Sequence, residues 1–413
     1  VFFLGTQTLE PRFRKLFFTS LGHFTNDGIG VFVPLIVDIL AFQRGAPTWQ
    51  VTAVLVVYYL SSSLVSTYVG RLADKSGKVG SMIALGISLL STGLFGFYLT
   101  LTFASRFLLP VLAILSSLLT GVGSAFYHPL GASILQRAFD QKTKGKALGV
   151  NGAMGSVGRA IYPTLFFAIA VVLTKPGALA FFALIGFLFS IVIWQGLKDG
   201  STNSSATSQP KTAQRASESL TKGILALTII AFVRSAAFQG ITSYIPTYLS
   251  FQKGLGVTSA LGLALTVMYA SAIIGQPLFG VIVDKFDKRF VLALSSTGSA
   301  LAILGYLIAS GVTGLLLLSL FGFFTLTGFP LLLSLASDYA PKGSSSLANA
   351  LVWGIGSTGG SVVGPLITGV MNLGGYSHLG FSFELMAFAA LLTGVVTIFM
   401  PRPERSGRLP MFG

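Results

Sequence analysis

Gly70-Arg71-Leu72-Ala73-Asp74-Lys75-Ser76-Gly77-Lys78 is the stretch on which the reading of this chain turns. It returns as Gly280-Val281-Ile282-Val283-Asp284-Lys285-Phe286-Asp287-Lys288-Arg289, offset by 210 positions. Each copy closes one long apolar run and opens the next. A short charged loop between two membrane-length segments, present in both halves, signals a duplicated membrane protein. Gly70, Asp74, Lys75 and Gly77, with Asp284 and Lys285 in the second copy, are the candidate gating residues.

Composition agrees. Of 413 residues 53% are hydrophobic and 9% charged, with a mean hydropathy of +0.80. Soluble domains carry about 25% charged residues. The 49 glycines suit close helix packing in lipid. With no Cys, disulfide, zinc-thiolate and thiol-nucleophile readings fall away. No cleavable signal peptide is expected, since the first apolar run is too long and follows Arg12, Arg14 and Lys15.

Crossing a bilayer core of about 30 Å takes roughly 20 helical residues. Such runs fall near 16–41, 50–72, 80–103, 107–136, 147–172 and 177–197, then near 222–250, 258–283, 290–310, 312–337, 347–372 and 378–400. The expected fold is all-α, with twelve spans in two pseudo-symmetric six-helix bundles, 1–198 and 221–413. They are joined by a Ser- and Thr-rich linker over 199–220. Of the 27 Lys and Arg residues, Arg44, Arg106, Lys175 and Lys253 fall in alternate loops and Arg159 and Arg234 inside spans; the other 21 fall in the remaining loops and termini. This asymmetry predicts both termini in the cytoplasm of a cell-membrane protein. The net charge of +15 thus faces anionic lipid and needs no nucleic acid.

A second repeat pairs Gly155-Ser156-Val157-Gly158 in the fifth span with Gly356-Ser357-Thr358-Gly359 in the eleventh, each followed by a proline, Pro163 and Pro365. Small residues there let helices of the two halves slide past each other. Tight static packing is the other reading.

Ionisable groups inside a span are costly and mark function by default. Asp27, Arg159 and Arg234 each lie twelve residues into a span, about 18 Å deep at 1.5 Å per residue. His23 shares a helix face with Asp27, and Asn26 adjoins it. A carboxylate beside an imidazole suits proton exchange; a static Asp27–Arg ion pair is the alternative. Arg234 offers planar donors to a carboxylate, phosphate or phosphonate. Arg159 does the same or neutralises Asp27. Phe126-Tyr127-His128-Pro129 places His128 on a proton path or leaves it a packing role. Gln239, Ser243, Tyr244 and Tyr248 form a polar face around Pro246. Gln276 precedes Pro277 in the eighth span, and Glu384 lies near the outer end of the twelfth.

Ser20-Leu21-Gly22-His23-Phe24-Thr25-Asn26-Asp27 resembles the Ser-x-x-His-x-x-Asn-Asp signature of the fosmidomycin resistance family, on the drug-efflux side of the major facilitator superfamily. Gly121-Val122-Gly123-Ser124-Ala125-Phe126-Tyr127-His128-Pro129 is similar to its fourth-span motif, and Thr242–Leu249 to its seventh span. The charged loop resembles the superfamily's loop between the second and third helices. The resemblance implies a cavity lined by the first, fourth, seventh and tenth helices, proton-driven export, and a brace between Asp74 and the eleventh helix. Two positions depart from it. Arg159 stands where a small residue is usual, and Asp287 where the second loop should carry glycine.

The resulting expectation is a proton-coupled antiporter exporting small amphipathic or anionic compounds by alternating access, monomeric, with no cofactor beyond the proton gradient. Asp27, His23 and His128 couple protons; Arg234, Arg159, Asn26, Gln239, Tyr244 and Tyr127 bind substrate. The alternative is a proton symporter importing an organic anion. A transporter-like sensor and a membrane enzyme are the remaining rivals; with three His and no clustered carboxylates, no metal site is expected.

Overall fold

The computed structural model describes residues 10–140, 143–198, 222–340, 348 and 351–402. The linker expected over 199–220 lies outside the described residues, as do the side chains of Arg71, Asp74, Lys75 and Asp284. The described chain is helical throughout: α1 (Pro11–Gly30), α2 (Phe32–Arg44), α3 (Thr48–Ser76), α4 (Val79–Phe103), α5 (Leu109–Ser124), α6 (Tyr127–Ala138) and α7 (Lys144–Leu197). Then come α8 (Lys222–Phe251), α9 (Ser259–Lys285), α10 (Lys288–Ile308), α11 (Gly311–Leu326), α12 (Gly328–Tyr339), a π-helical turn (Leu351–Thr358), α13 (Gly359–Met371) and α14 (Leu379–Ile398).

Eleven of the described stretches are long and apolar enough to cross a membrane, α1–α2, α5–α6 and the π turn with α13 each counting as one. The α7 stretch accounts for two crossings. Its 54 residues would run about 80 Å, far beyond one bilayer core. Thr174 breaks it at φ 64°, ψ 168°. The rings of Tyr162 and Phe182, on either side of the break, lie 4.9 Å apart, so the second arm folds back along the first. This gives the twelve expected spans.

Packing divides the described residues into two units. One falls within 1–36, 57–205 and 258–266, the other within 37–56, 206–257 and 267–413. In the first unit, the initial arm of α7 lies on α1. A Cβ at Gly158 would sit 2.2 Å from the Phe24 carbonyl oxygen, and one at Gly155 2.5 Å from the His23 ring. In the second unit the equivalent pair is the eleventh span on α8. A Cβ at Gly356 would lie 2.9 Å from Ala231 Cβ and one at Gly359 3.1 Å from the Phe232 ring, while Cβ atoms at the adjoining Gly360 and Gly364 would meet Phe232 O at 2.3 Å and Ala236 O at 2.1 Å. The repeated small residues therefore seat the fifth and eleventh spans on the first and seventh, inside each unit. The second copy is also wound differently, its residues forming the π turn closed by Thr358 Oγ1 donating to Trp353 O at 2.8 Å.

The two charged loops differ in the same way. Gly77 turns the chain with φ +64°, a conformation glycine adopts without a Cβ penalty. At the matching position Asp287 has φ −59°, ψ 121° and caps α10, accepting from Arg289 N. The second loop lacks its glycine because its turn has no left-handed residue. Behind it, buried Lys288 pairs with Asp338 at 2.5 Å. Arg289 donates to Met400 O at 2.5 Å and Tyr339 to Pro401 O at 2.6 Å, fastening α10 and α12 to the chain after α14. A core of Leu227, Val291, Leu292, Leu331, Leu335 and Val352, all nearly inaccessible, fills the space between these helices.

Candidate functional site

Among the described residues, three spans break next to a candidate. The first span interrupts at Val31, whose N–H reaches back to Asp27 O at 3.2 Å. The fourth interrupts at Ala125 and Phe126, just before Tyr127 and His128. The tenth interrupts at Thr327, beside the Arg234 side chain. Discontinuous helices are where secondary transporters build their binding sites.

In the first unit the fold gathers His23, Asp27, His128 and Arg159. Asp27 is nearly inaccessible, its side chain 4% exposed. His23 Nε2 lies 3.2 Å from Asp27 Oδ2, and His128 Nε2 3.5 Å from Oδ1. Arg159 Nη1 forms an ion pair with Oδ2, and its Nη2 donates to Ser156 Oγ at 3.1 Å. Asn26 Nδ2 donates to Asp27 Oδ1 at 3.0 Å. The His128 side chain is 50% exposed, the most open member of the cluster. The static-pair and proton-exchange readings of Asp27 thus meet in one site: the carboxylate has a fixed cation on one side and two imidazoles on the other. The possible ligand atoms of His23, Asp27 and His128 also fall within 4.8 Å of one another, as a metal site requires. The Arg159 guanidinium on the same carboxylate opposes a second cation there.

The second unit holds a cation with the opposite problem. Arg234 is 5% exposed. Its Nε donates to Ser296 Oγ at 3.0 Å and its Nη2 to Ser295 Oγ at 3.0 Å, with Thr325 O at 3.5 Å. The guanidinium lies over the Phe238 ring, 4.6 Å from its centroid. Among the described residues no carboxylate pairs with it, and every partner is neutral. A Cβ at Gly328 would fall 2.1 Å from Nη2, so glycine is required for this seating.

The other substrate candidates are largely engaged by protein. Tyr127 donates to Thr19 O at 2.8 Å. Thr52 Oγ1 gives its proton to Thr48 O, so Tyr244 donates to Thr52 Oγ1 at 2.7 Å. Gln239 donates to Ser243 Oγ at 3.1 Å. Asn26 belongs to the Asp27 cluster. Of the gating candidates, Gly70 lies within α3, Gly77 makes the turn and Lys285 ends α9, exposed. The side chains of Asp74, Lys75 and Asp284 lie outside the described residues. Two residues escaped the sequence reading. Asn151 in α7 bridges His23 and Tyr127. Asp38 in α2 is wholly buried and accepts from Ser250 Oγ at 2.5 Å in the second unit. Asp38 was within reach, being an intramembrane acid three helical turns past Asp27.

A family model described as Major Facilitator Superfamily matches residues 16–352 and 258–412. The chain belongs to the Major Facilitator Superfamily. Within the superfamily it is 26% identical to the fosmidomycin resistance protein of Escherichia coli (strain K12) over 408 residues, 96% of this chain and 95% of that one. It is 27% identical to the probable nitrate transporter NarT of Staphylococcus haemolyticus over 291 residues, 68% of this chain and 73% of that one. Its fold matches the xylose transporter XylE of E. coli with a TM-score of 0.75 at 13% identity, covering 96% of this chain and 98% of that one. As a superfamily member it is a multi-pass membrane transporter of small molecules, not an enzyme.

Proposed function

We propose that this transporter is a proton-coupled antiporter exporting small amphipathic or anionic compounds by alternating access, in the cell membrane with both termini cytoplasmic. The observation that carries the reading is a contrast between two buried groups. Asp27 shares its charge with Arg159 and two imidazoles; among the described residues Arg234 is a buried guanidinium bonded only to neutral oxygens. A buried cation without a counter-ion costs several kcal/mol, a cost a bound anion offsets. A buried carboxylate touching two imidazoles sets proton donors and acceptors within reach of one another. In this reading residues 1–198 and 221–413 are the two moving bundles, 199–220 their linker, and Asp74 and Asp284 their braces.

The half-exposed His128 passes the proton, and Asp27 with His23 stores it. Arg159 keeps Asp27 ionised until loading, since its guanidinium is held by Asp27 and Ser156. Arg234 takes the anionic part of the substrate. The similarity to a fosmidomycin resistance protein supports export, and that to a probable nitrate transporter supports an anion. The ion pair between Arg159 and Asp27 favours the alternative, a proton symporter. If protonating Asp27 releases Arg159 to the anion, proton and anion load together and travel the same way.

Proteoliposome flux of a labelled phosphonate or organic anion under an imposed pH gradient tests both. Gradient-driven flux is expected in the parent and lost in Asp27→Asn and in Arg234→Ala. Flux against the proton's direction supports antiport; flux alongside it establishes the symporter. Full uphill transport by Asp27→Asn removes Asp27 from coupling.

A further inference from the structure

We infer that Asn151, itself oriented by Tyr127, is a positioning residue that fixes the tautomer of His23 and so places one transferable proton between His23 and Asp27. The inference rests on the proposed role of that pair in proton coupling, but its geometry stands apart from it. Tyr127 Oη lies 2.8 Å from the Thr19 carbonyl oxygen. Asn151 Oδ1 is a second acceptor, 3.1 Å from Oη, but the Thr19 carbonyl is nearer and takes the single phenolic proton. The Asn151 amide nitrogen lies 2.8 Å from the same Oη. With the phenolic proton spent, the amide must donate at that contact. The orientation of the amide is therefore set by its neighbours: Nδ2 faces Tyr127, and Oδ1 faces His23.

Asn151 Oδ1 lies 3.1 Å from His23 Nδ1. Being an acceptor, it requires a hydrogen on Nδ1. A neutral imidazole protonated at Nδ1 carries a lone pair at Nε2. That lone pair would face Asp27 Oδ2 across 3.2 Å, two acceptors with nothing between them. One further proton removes the conflict, on Nε2 or on the carboxyl oxygen. Arg159 is ion-paired with the same oxygen. The other titratable groups facing the pair are His128, 3.5 Å from Oδ1, and Tyr127, whose ring centroid is 4.8 Å from that of His23. Tyr58 of α3 also acts on Asp27 electrostatically. Gly155 closes the pair from α7, since any Cβ there would meet both His23 Nε2 and Asp27 Oδ2. In the reverse amide orientation Asn151 Oδ1 would stand 2.8 Å from Oη, rather than 3.1 Å, and compete with Thr19 O on equal terms for one phenolic proton.

The chain has three histidines, so nitrogen-15 labelling of histidine gives a spectrum readable in lipid nanodiscs. His23→Gln assigns the His23 signals by their disappearance. The parent is expected to show His23 protonated at Nδ1. Asn151→Leu is expected to lose the Nδ1 proton, leaving a neutral ring protonated at Nε2. Tyr127→Phe frees the amide to turn and is expected to give both forms in one sample. A parent His23 with bare Nδ1, or Asn151→Leu signals identical to the parent's, overturns the inference. The parent spectrum decides the matter even where a variant fails to fold. Parallel flux on the parent separates the two claims: the expected spectrum without pH-driven flux keeps this inference and removes the coupling role.

Discussion

Arg234 is the residue whose energetics say most about what is carried. It is a charge retained at a cost, with serine hydroxyls, a distant carbonyl and an aromatic face for company. Replacing buried ionic groups by apolar ones of similar volume often stabilises by about 1–4 kcal/mol, and function commonly holds proteins below their stability optimum. Arg234→Met is therefore expected to raise the melting temperature in detergent while abolishing anion binding, both measured on one preparation. A lower melting temperature would make Arg234 a structural cation instead. Gly328→Ala keeps the charge and pushes a Cβ toward Nη2. It is expected to cut anion affinity about tenfold or more by calorimetry. At this scale the sequence was informative wherever charge stands out against an apolar run, as Asp27, Arg159 and Arg234 do. Asp38 carries the same contrast, a buried acid in an apolar run. Asn151 was not legible: a neutral amide in a helix carries no such contrast, and its partners are 128 and 24 residues away.

Among elements, the two halves repeat in plan but not in detail. The fifth span on the first and the eleventh on the seventh are both seated through glycines against backbone carbonyls. Backbone atoms cannot yield as side chains do, so Gly158→Ala is expected to cost about 1–3 kcal/mol. Gly149→Ala, in the same helix with nothing within 4 Å, is expected to stabilise by up to about 1 kcal/mol through helix propensity. Paired thermal melts check the contrast; equal effects would mean the seating is loose. The spacing of small residues was plain in the sequence, but not the face they occupy, because a glycine repeat reads the same whichever neighbour it meets. The loops show the reverse. Asp287 looked like a missing glycine and is a helix cap. Burial pushes its carboxyl up, but hydrogen bonds from the Arg289 side chain and backbone, with the Arg289 charge, hold it below its usual value. A carboxylate held low stabilises the fold above the unfolded pKa, about 3.9, and that contribution is lost as pH falls through the folded value. Asp287→Ala is expected to lower stability by about 1 kcal/mol at neutral pH, with the gap from the parent closing below about pH 4. A gap unchanged in acid would assign the effect to packing.

For the whole molecule, twelve spans and the duplication were readable because a bilayer imposes length and polarity on every crossing segment. Even the α7 break fell between the expected 147–172 and 177–197 runs, at Thr174. Packing places residues 37–56 with the second unit and 258–266 with the first, a grouping set by contacts between residues far apart in sequence, which no local pattern encodes. Orientation is a property of the molecule in its membrane, and the case for it is the 21 basic residues in one set of loops and termini against four in the other. The absence of native cysteine makes it directly measurable. Ser76→Cys sits exposed at the end of α3, Ser105→Cys exposed between α4 and α5, and Ser310→Cys exposed before α11. With a membrane-impermeant maleimide on intact cells, Ser105→Cys and Ser310→Cys are expected to label, and Ser76→Cys only after permeabilisation. The reverse pattern would invert the molecule and put the charged loops outside. Labelling of all three in intact cells would break the twelve-span topology itself. The two halves enter this test separately, because Ser105 reports on the first and Ser310 on the second. Agreement between them is what a duplicated chain with an even number of spans per half requires.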